Sequence, residues 1–270
     1  MDERFEGIIL FKRDYREKDA LVKIFTKEFG AKMFFIKNFN QANHPLRRHC
    51  IPITQQYFLG KINESGLSFL KEGQTLQLFR SIQEDHEKLA YATYFIQLVD
   101  AALEDNVANL NVYTILSQCL SLLNQGLDSQ VLMVCLEMKL LPYLGIHLNW
   151  QSCALTGRQD GPFDFSLKFQ GILSQAVWEQ DDFRLHISPK TIHVAIILAN
   201  CQLEQIQSIN LGQKTKEELS RLMDTIYQEF VGLRLKGKSY LKQLKQLDEQ
   251  VQAISNVRKR SNESGPVIDF

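Results

Sequence analysis

Basic and aromatic side chains alternate in one short stretch near the amino terminus of this 270-residue chain. Lys32, Phe34, Phe35, Lys37 and Phe39 fall within eight residues. A protein that binds single-stranded nucleic acid needs cations along the sugar–phosphate track and flat rings on which bases stack. Side chains alternate between the two faces of a strand, so Lys32 and Phe34 share one face and Phe35 and Lys37 share the other. The alternative interpretation is that the rings fill a core and the lysines are solvated.

The distribution of charge supports nucleic-acid contact. The chain has 31 basic and 31 acidic side chains, and a net charge of zero by itself argues against such a binder, which is usually basic. However, the net charge is +4 over residues 1–79, −8 over 80–232 and +4 over 233–270. Residues 12–48 alone hold ten basic and four acidic groups. Asymmetry of this kind indicates a basic module that faces nucleic acid.

The first eighty residues, which must position these groups, show the pattern of short strands. Apolar and β-branched runs cover residues 5–11, 21–26, 32–37, 53–62, 67–70 and 75–79. Turn sequences separate them, including Lys71-Glu72-Gly73. About five strands in this length favour a small barrel of the OB-fold type. An SH3-like barrel fits the same periodicity, because periodicity does not fix topology.

Helical spacing replaces the strand pattern after residue 79. Ser81 with Glu84 and Thr215 with Glu218 each have the spacing of a capping box, Asp128 precedes a third helix, and Ser188-Pro189 begins a fourth. We therefore predict an α+β multi-domain protein. The predicted domains are an OB-fold barrel over residues 1–80, a mainly α-helical domain over 81–250 with an irregular insertion at about 150–186, and a polar, mobile tail over 251–270.

Motifs of catalysis and of membranes are missing from the sequence. It contains no phosphate-binding glycine loop, no His-Glu-x-x-His and no Gly-x-Ser-x-Gly, which makes an enzyme the weaker hypothesis. No apolar stretch approaches about 18 residues, and the start of the chain lacks the apolar segment of a signal peptide. Three of the five cysteines lie among apolar residues, so we expect reduced thiols and a cytoplasmic protein.

The order of several motifs resembles the RecO family of bacterial recombination mediators. The most specific piece is the Phe-Thr-Lys-Glu-Phe-Gly turn at residues 25–30, which follows Tyr-Arg-Glu-Lys-Asp at 15–19. The helix end Leu-Pro-Tyr-Leu-Gly at 141–145 and the stretch 227–241 are similar to carboxy-terminal motifs of that family. The resemblance spans nearly the whole chain.

This resemblance implies an OB-fold followed by a helical domain. It also implies binding to single- and double-stranded DNA, annealing of complementary strands, and cooperation with RecR in loading RecA onto DNA coated by single-stranded-DNA-binding protein. Family members bind the acidic, Phe-terminated tail of that coating protein. None of this needs bond-making chemistry, so we expect a protein that is not an enzyme. The alternative is a helical interaction adaptor whose small barrel has no direct DNA role.

Two sets of candidate binding residues follow. For DNA they are Lys12, Arg13, Arg16, Lys32, Lys37, Arg47 and Arg48 as cations, with Phe34 and Tyr57 as stacking rings. Tyr57 is a weaker candidate, because one of the adjacent pair Tyr57 and Phe58 should face the core. For the acidic partner tail they are Arg234, Lys236, Lys238 and Lys242. The alternative for this second set is a solvated helix face.

The sequence departs from the family at its zinc site. Many members carry two Cys-x-x-Cys pairs, whereas the corresponding positions here are Cys153, Thr156, Ser174 and Val177. A structural zinc needs four ligands of the Cys or His type. We therefore predict a degenerate, metal-free knuckle held by aromatic packing, and no cofactor.

Overall fold

The computed structural model describes residues 2–206, 208–244 and 246–247, and it divides into an all-β segment followed by a mainly helical one. The strands of the first segment are β1 (Asp2–Tyr15), β2 (Asp19–Thr26), β3 (Gly30–Ile36), β4 (Gln55–Lys61) and β5 (Ser68–Gln77). The second segment contains α1 (Arg80–Glu84), α2 (His86–Ala102), α3 (Leu110–Asn124), α4 (Ser129–Leu140), β6 (Phe163–Ser166), β7 (Gly171–Ser174), α5 (Pro189–Asn200), α6 (Gln213–Ile226) and a last helix over residues 236–244. The predicted tail at 251–270 lies outside the described residues.

The five amino-terminal strands form a closed barrel in the order β1-β2-β3-β5-β4. β4 pairs with β1 to close the barrel, and β3 and β5 are parallel while the other pairs are antiparallel. This five-stranded arrangement is the OB-fold rather than the SH3-like alternative. The prediction of an OB-fold followed by a helical segment is confirmed.

Aromatic rings fill the barrel. The ring centroid of Phe5 lies 5.4 Å from that of Phe34 and 5.7 Å from that of Phe58. Ile9 and Ile24 join the same core and are fully buried. These side chains alternate with outward-facing ones, as a half-buried strand requires. The core face of β3 therefore includes Phe34.

The segment between β3 and β4 closes one mouth of the barrel, and we call residues 39–50 the plug. Phe39, Leu46 and Cys50 pack into the barrel core, and a short 3-10 helix covers Arg47–His49. Because its apolar side chains point inward, the plug leaves Arg47 and Arg48 exposed, whereas the polar side chain of His49 is buried.

The turn predicted at Lys71-Glu72-Gly73 is wrong, because β5 runs through it without interruption. Gly73 pairs with Phe58 of β4. A Cβ atom on Gly73 would lie 2.8 Å from the Cβ of His49. Glycine is therefore required here for the close approach of the plug, and the turn signal has a packing cause.

Two of the predicted helix caps are confirmed and two are wrong. The side chain of Asp128 accepts hydrogen bonds at the start of α4, and that of Ser188 at the start of α5. Neither capping box forms. Asp85 caps α2, while Glu218 accepts hydrogen bonds from the hydroxyls of Ser188 and Thr191 on another helix. Tertiary partners have replaced local ones.

The barrel and the helices share buried contacts. The ammonium of Lys23 lies 2.7 Å from Asp100 and 2.9 Å from Asp105, and the amide of Asn106 donates to the carbonyl of Ala31 at 3.0 Å. Burial opposes the charge of Lys23, but the two carboxylates outweigh it and raise its pKa. Within the described residues, no helix is long and apolar enough to cross a membrane.

Candidate nucleic-acid interface

The plug carries two of the predicted cations, Arg47 and Arg48, and a third, Lys12 of β1, lies beside it. The ammonium of Lys12 lies 5.1 Å from the ring centroid of Phe39. Burial raises the pKa of the Cys50 thiol to about 12, and Lys12 is close enough to oppose that shift. Arg47 and Arg48 are both exposed on the 3-10 helix of the plug. These cations therefore occupy the closed mouth of the barrel.

His49 anchors the plug to the barrel wall. Its Nδ1 lies 3.1 Å from the amide oxygen of Gln56 and 3.2 Å from the hydroxyl of Thr75. On the other side of the ring, the Nε of Arg48 donates to its Nε2 at 2.9 Å. The imidazole thus links Arg48 of the plug to β4 and β5. This contact positions the arginine without an ion pair, so its charge is not neutralised.

The β1–β2 turn presents the remaining cations, Arg13 and Arg16, beside Lys37 at the end of β3. The Asn38 amide donates to the carboxylate of Asp19 at 2.8 Å, and the Asn40 amide donates to the carbonyl at position 18 at 3.0 Å. These bonds hold the end of β3 against the turn. Arg13, Arg16 and Lys37 are exposed at the same end of the barrel.

We define the basic face as six exposed cations from the end of β1, the β1–β2 turn, the end of β3 and the plug: Lys12, Arg13, Arg16, Lys37, Arg47 and Arg48. In the part of the chain that the structure describes, none of the six lies within 4.0 Å of a carboxylate oxygen. Two other barrel lysines are paired, since Lys27 lies 3.6 Å from Glu6 and Lys71 lies 2.6 Å from Asp2. Among the described residues, Arg4, Lys18 and Lys61 are exposed and also lack a carboxylate within this distance. The six cations of the basic face therefore carry charge that no neighbouring carboxylate of the described residues neutralises.

Lys32 and Phe34 are corrections to the predicted set. Lys32 is 4% exposed, and its ammonium donates to the Asn63 carbonyl at 2.9 Å. Phe34 is fully buried in the barrel. Both belong to the inward face of β3, so neither reaches DNA in this conformation. The face of β3 that carries Lys32 and Phe34 thus points into the barrel, which agrees with the alternative interpretation that a ring of this stretch fills a core.

Tyr57 is exposed and Phe58 is buried, as expected for an adjacent pair on a strand. However, Tyr57 lines a hollow together with the acidic residues Glu6, Glu28 and Glu72, with Arg4 as the one basic lining residue. Carboxylates repel phosphate, so these acidic neighbours disfavour a nucleic-acid contact at Tyr57.

Sequence reasoning missed two exposed rings, Tyr15 and Phe69. Tyr15 lies two residues beyond Arg13 on β1, so both point to the same face. The same period of two was available from the sequence for Tyr15. The position of Phe69 was not, because it depends on the parallel pairing of β3 with β5.

The proposed tail-binding cations are not equally available. Arg234 and Lys236 are exposed. Lys238 forms ion pairs with the buried Glu137 and, at 2.8 Å, with Asp224, and Lys242 lies 2.7 Å from the same Asp224. The sequence therefore overstated the positive charge of this stretch, because two of its four cations are neutralised within the fold.

The knuckle region is a hairpin, as predicted. β6 and β7 pair in an antiparallel ladder, and the Phe165 ring stacks 4.9 Å from that of Trp150. The indole of Trp178 donates to the Leu173 carbonyl at 2.9 Å. Aromatic packing and this hydrogen bond stabilise the hairpin.

The four ligand positions do not fit zinc. The Ser174 amide donates to the Cys153 sulfur at 3.3 Å. Burial opposes the thiolate, but hydrogen bonds from Ser174 and Thr156 outweigh it and lower the pKa of Cys153 to about 6. Among the described residues, no group of three His, Cys, Asp or Glu side chains is placed to hold a metal. That the protein binds no zinc stays a prediction, which metal analysis of the purified chain tests.

An OB barrel with an unneutralised basic face, joined to an acidic helical body, defines a class of protein that is suited to binding polyanions through its barrel. Comparison with known proteins gives the particular family. The model for "Recombination protein O N terminal" matches residues 1–79, and that for "Recombination protein O C terminal" matches residues 83–239.

Individual relatives agree with these models. The chain is 38% identical over 240 residues to the DNA repair protein RecO of Enterococcus faecalis, covering 89% of this chain and 92% of the relative. It is 36% identical over 241 residues to that of Pediococcus pentosaceus, covering 89% and 95%. The chain belongs to the RecO family, and its role lies in DNA repair.

Proposed function

We propose that this protein binds single- and double-stranded DNA through the basic face and anneals complementary strands. With RecR it helps to load RecA onto DNA coated by single-stranded-DNA-binding protein. The observation that carries the proposal is the group of six exposed cations at one end of the barrel, none of which is paired with a carboxylate in the described part of the chain. Family membership supports the recombination role.

Annealing by a binding protein needs the charge of two strands to be neutralised while their bases stay accessible. Unpaired lysines and arginines release condensed counterions from phosphate, which supplies both affinity and salt dependence. No bond is made or broken, so the protein acts without catalysis, nucleotide or metal. We place this activity in the cytoplasm, at the nucleoid.

The helical body is the proposed surface for protein partners. Its net charge of −8 over residues 80–232 repels phosphate. Arg234 and Lys236 are the exposed cations of the proposed tail-binding stretch. We propose that they, rather than Lys238 and Lys242, meet the acidic tail of the single-stranded-DNA-binding protein.

The test is annealing of complementary strands coated with single-stranded-DNA-binding protein. The wild type is compared with Lys37→Ala/Arg47→Ala, which removes two cations of the basic face. The control is Lys27→Ala/Lys71→Ala, which removes two barrel cations already paired with carboxylates. We expect the wild type and the control to anneal at similar rates without nucleotide or metal, and the first variant to anneal more slowly with an unchanged melting temperature.

Two outcomes contradict the proposal. A wild type that shows neither annealing nor salt-dependent DNA binding favours the interaction adaptor. Equal loss in the two double variants shows that total charge, rather than the basic face, controls annealing.

A further inference from the structure

An outward-facing row of side chains crosses all five strands of the barrel. Register places Leu21 opposite Arg13 and Phe35 opposite Leu21. The parallel pairing then sets Phe69 beside Phe35, and Lys61 lies opposite Phe69 on β4. Directly paired residues point to the same side of a sheet. The row therefore runs from one cation to another, with two aromatic rings in its middle.

Three rings on this face touch in series. The Tyr15 and Phe35 centroids are 6.1 Å apart at an interplanar angle of 90°, and those of Phe35 and Phe69 are 6.2 Å apart at 82°. Tyr15 is 38% exposed and Phe69 is 42% exposed. Leu21, on the strand between Arg13 and Phe35, is 4% exposed. We call Tyr15, Phe35 and Phe69 the aromatic row.

Cations surround the aromatic row. The Arg16 guanidinium lies 5.3 Å from the Tyr15 ring centroid. Lys37 follows Phe35 by two residues and so shares its face, and Lys61 and Arg13 bound the row. The acidic residues around the row are the exposed Glu17, Asp19, which pairs with Tyr15 and accepts a hydrogen bond from the Asn38 amide, and Asp2, which pairs with Lys61 and forms an ion pair with Lys71. The surroundings of the row are thus more basic than acidic.

We propose that the aromatic row is a stacking platform for unpaired bases, which favours single strands over duplex. This inference rests on the proposed function, because the basic face holds the backbone of the same strand. Every base has a flat face that stacks on an aromatic ring, so such a platform tolerates any sequence. In a duplex the bases are already stacked on one another, and only the phosphates reach the protein.

Charge distinguishes this platform from the other exposed ring on the barrel. Tyr57 is 46% exposed, more than either ring of the row, but it lies among Glu6, Glu28 and Glu72. A strand that stacks on Tyr57 brings its phosphates against carboxylates, whereas one that stacks on the row brings them against Arg13, Arg16 and Lys37. Exposure alone does not make a platform.

The experiment measures the affinity of the full chain for a single-stranded oligonucleotide and for a duplex of the same length, across several salt concentrations. The test variant is Tyr15→Ser/Phe69→Ser. The conservative variant Tyr15→Phe/Phe69→Tyr keeps both rings, and Tyr57→Ser is the control at an equally exposed ring. Phe35 is left intact because it is partly buried.

We expect the serine pair to weaken single-strand binding roughly 5- to 100-fold, which corresponds to the loss of stacking at one or more bases. Duplex affinity should stay within about twofold and the salt slope should not change, because no phosphate contact is removed. The conservative variant and Tyr57→Ser should bind like the wild type.

The outcomes separate this inference from the proposed function. Unchanged single-strand affinity, with salt-dependent binding retained, overturns the platform and leaves the proposed function standing. Equal loss on single strands and duplex, at an unchanged melting temperature, also overturns it. Loss of RecR binding with DNA affinity intact identifies the row as a protein contact and overturns the platform. A wild type that binds no DNA overturns the proposed function itself.

Discussion

The basic face of the barrel and the ion-pair cluster of the helical body use the same residue types in opposite ways. Lys37 and Arg47 are exposed, with no carboxylate within 4.0 Å among the described residues. Lys238, in contrast, lies between Glu137 and Asp224 and over the rings of Tyr94 and Tyr227. In the first arrangement the positive charge is available to a binding partner, and in the second it is neutralised by carboxylates within the fold.

This difference shows why counts of charged residues mislead. The last stretch of the chain is net positive in sequence, yet its Lys238 and Lys242 are committed to Asp224. The barrel is also net positive, and there the six cations of the basic face have no carboxylate within 4.0 Å in the described part of the chain. Carboxylate pairing, rather than net charge, therefore separates a binding surface from a structural cluster.

The largest expected effect comes from breaking the structural cluster. Glu137 is fully buried, and the Tyr94 hydroxyl donates to its Oε1 at 2.6 Å. Lys238→Met leaves this carboxylate without its cation, and we expect the free energy of unfolding to fall by about 3–5 kcal/mol. Urea unfolding measures this loss.

The double variant Glu137→Gln/Lys238→Met is the matched control, since it removes both charges and should recover much of the stability. DNA affinity of the folded Lys238→Met protein should equal that of the wild type. A loss of affinity without unfolding would place Lys238 in the DNA interface and remove the distinction between the two regions.

The same cluster predicts a dependence of stability on pH. Burial opposes both charges, but the opposite partners outweigh it, raising the pKa of Lys238 and lowering that of Asp224. The contribution of Lys238 is complete below about pH 10 and is lost as the pH rises through its raised pKa. That of Asp224 is complete above about pH 4 and is lost as the pH falls through its lowered pKa.

We therefore expect the stability difference between wild type and Lys238→Met to be greatest from about pH 4 to about pH 10. It should shrink on either side, which urea unfolding at pH 3, 7 and 11 measures. A difference that is constant across this range would show that packing of the lysine stem, rather than its charge, stabilises the cluster.

A smaller effect is expected where the basic face is anchored. Gly73→Ala places a methyl group against the side chain of His49, and overpacking of this kind costs about 1–3 kcal/mol. Because His49 holds the plug, the variant should also weaken DNA binding. Gly66→Ala, which meets open space but strains a residue at φ +78°, should lower stability without affecting the plug or DNA binding. Binding that is unchanged in Gly73→Ala, with stability reduced, would show that the plug cations do not need this anchor.

The sequence predicted the barrel well because β-sheet periodicity is local. Apolar runs and turn residues predicted about five strands, and the family resemblance carried by residues 25–30 implied that the barrel they form is an OB-fold. The Lys71-Glu72-Gly73 turn was wrong because the glycine there serves a neighbour distant in sequence, His49. Short-range signals fail where a long-range contact determines the residue.

The candidate site was predicted in part, and the errors share one cause. Alternation along β3 was recognised, but which face points inward is decided by the pairing of strands that are far apart in sequence. Lys32 and Phe34 were consequently assigned to solvent. Phe69 was missed for the same reason, since only the β3–β5 pairing brings it beside Phe35.

The central claim is that DNA is held by the basic face and not by exposed cations elsewhere. The most direct measurement is the slope of log affinity against log salt for single-stranded DNA, in two variants that each lose four exposed cations. One carries alanine at Lys12, Arg13, Lys37 and Arg47, and the other at Lys190, Lys214, Arg234 and Lys236. We predict that the slope of the first becomes shallower by about 3, at about 0.7–0.9 per lost contact, and that the second keeps the wild-type slope. The reverse result, or equal slopes in both variants, would contradict the account.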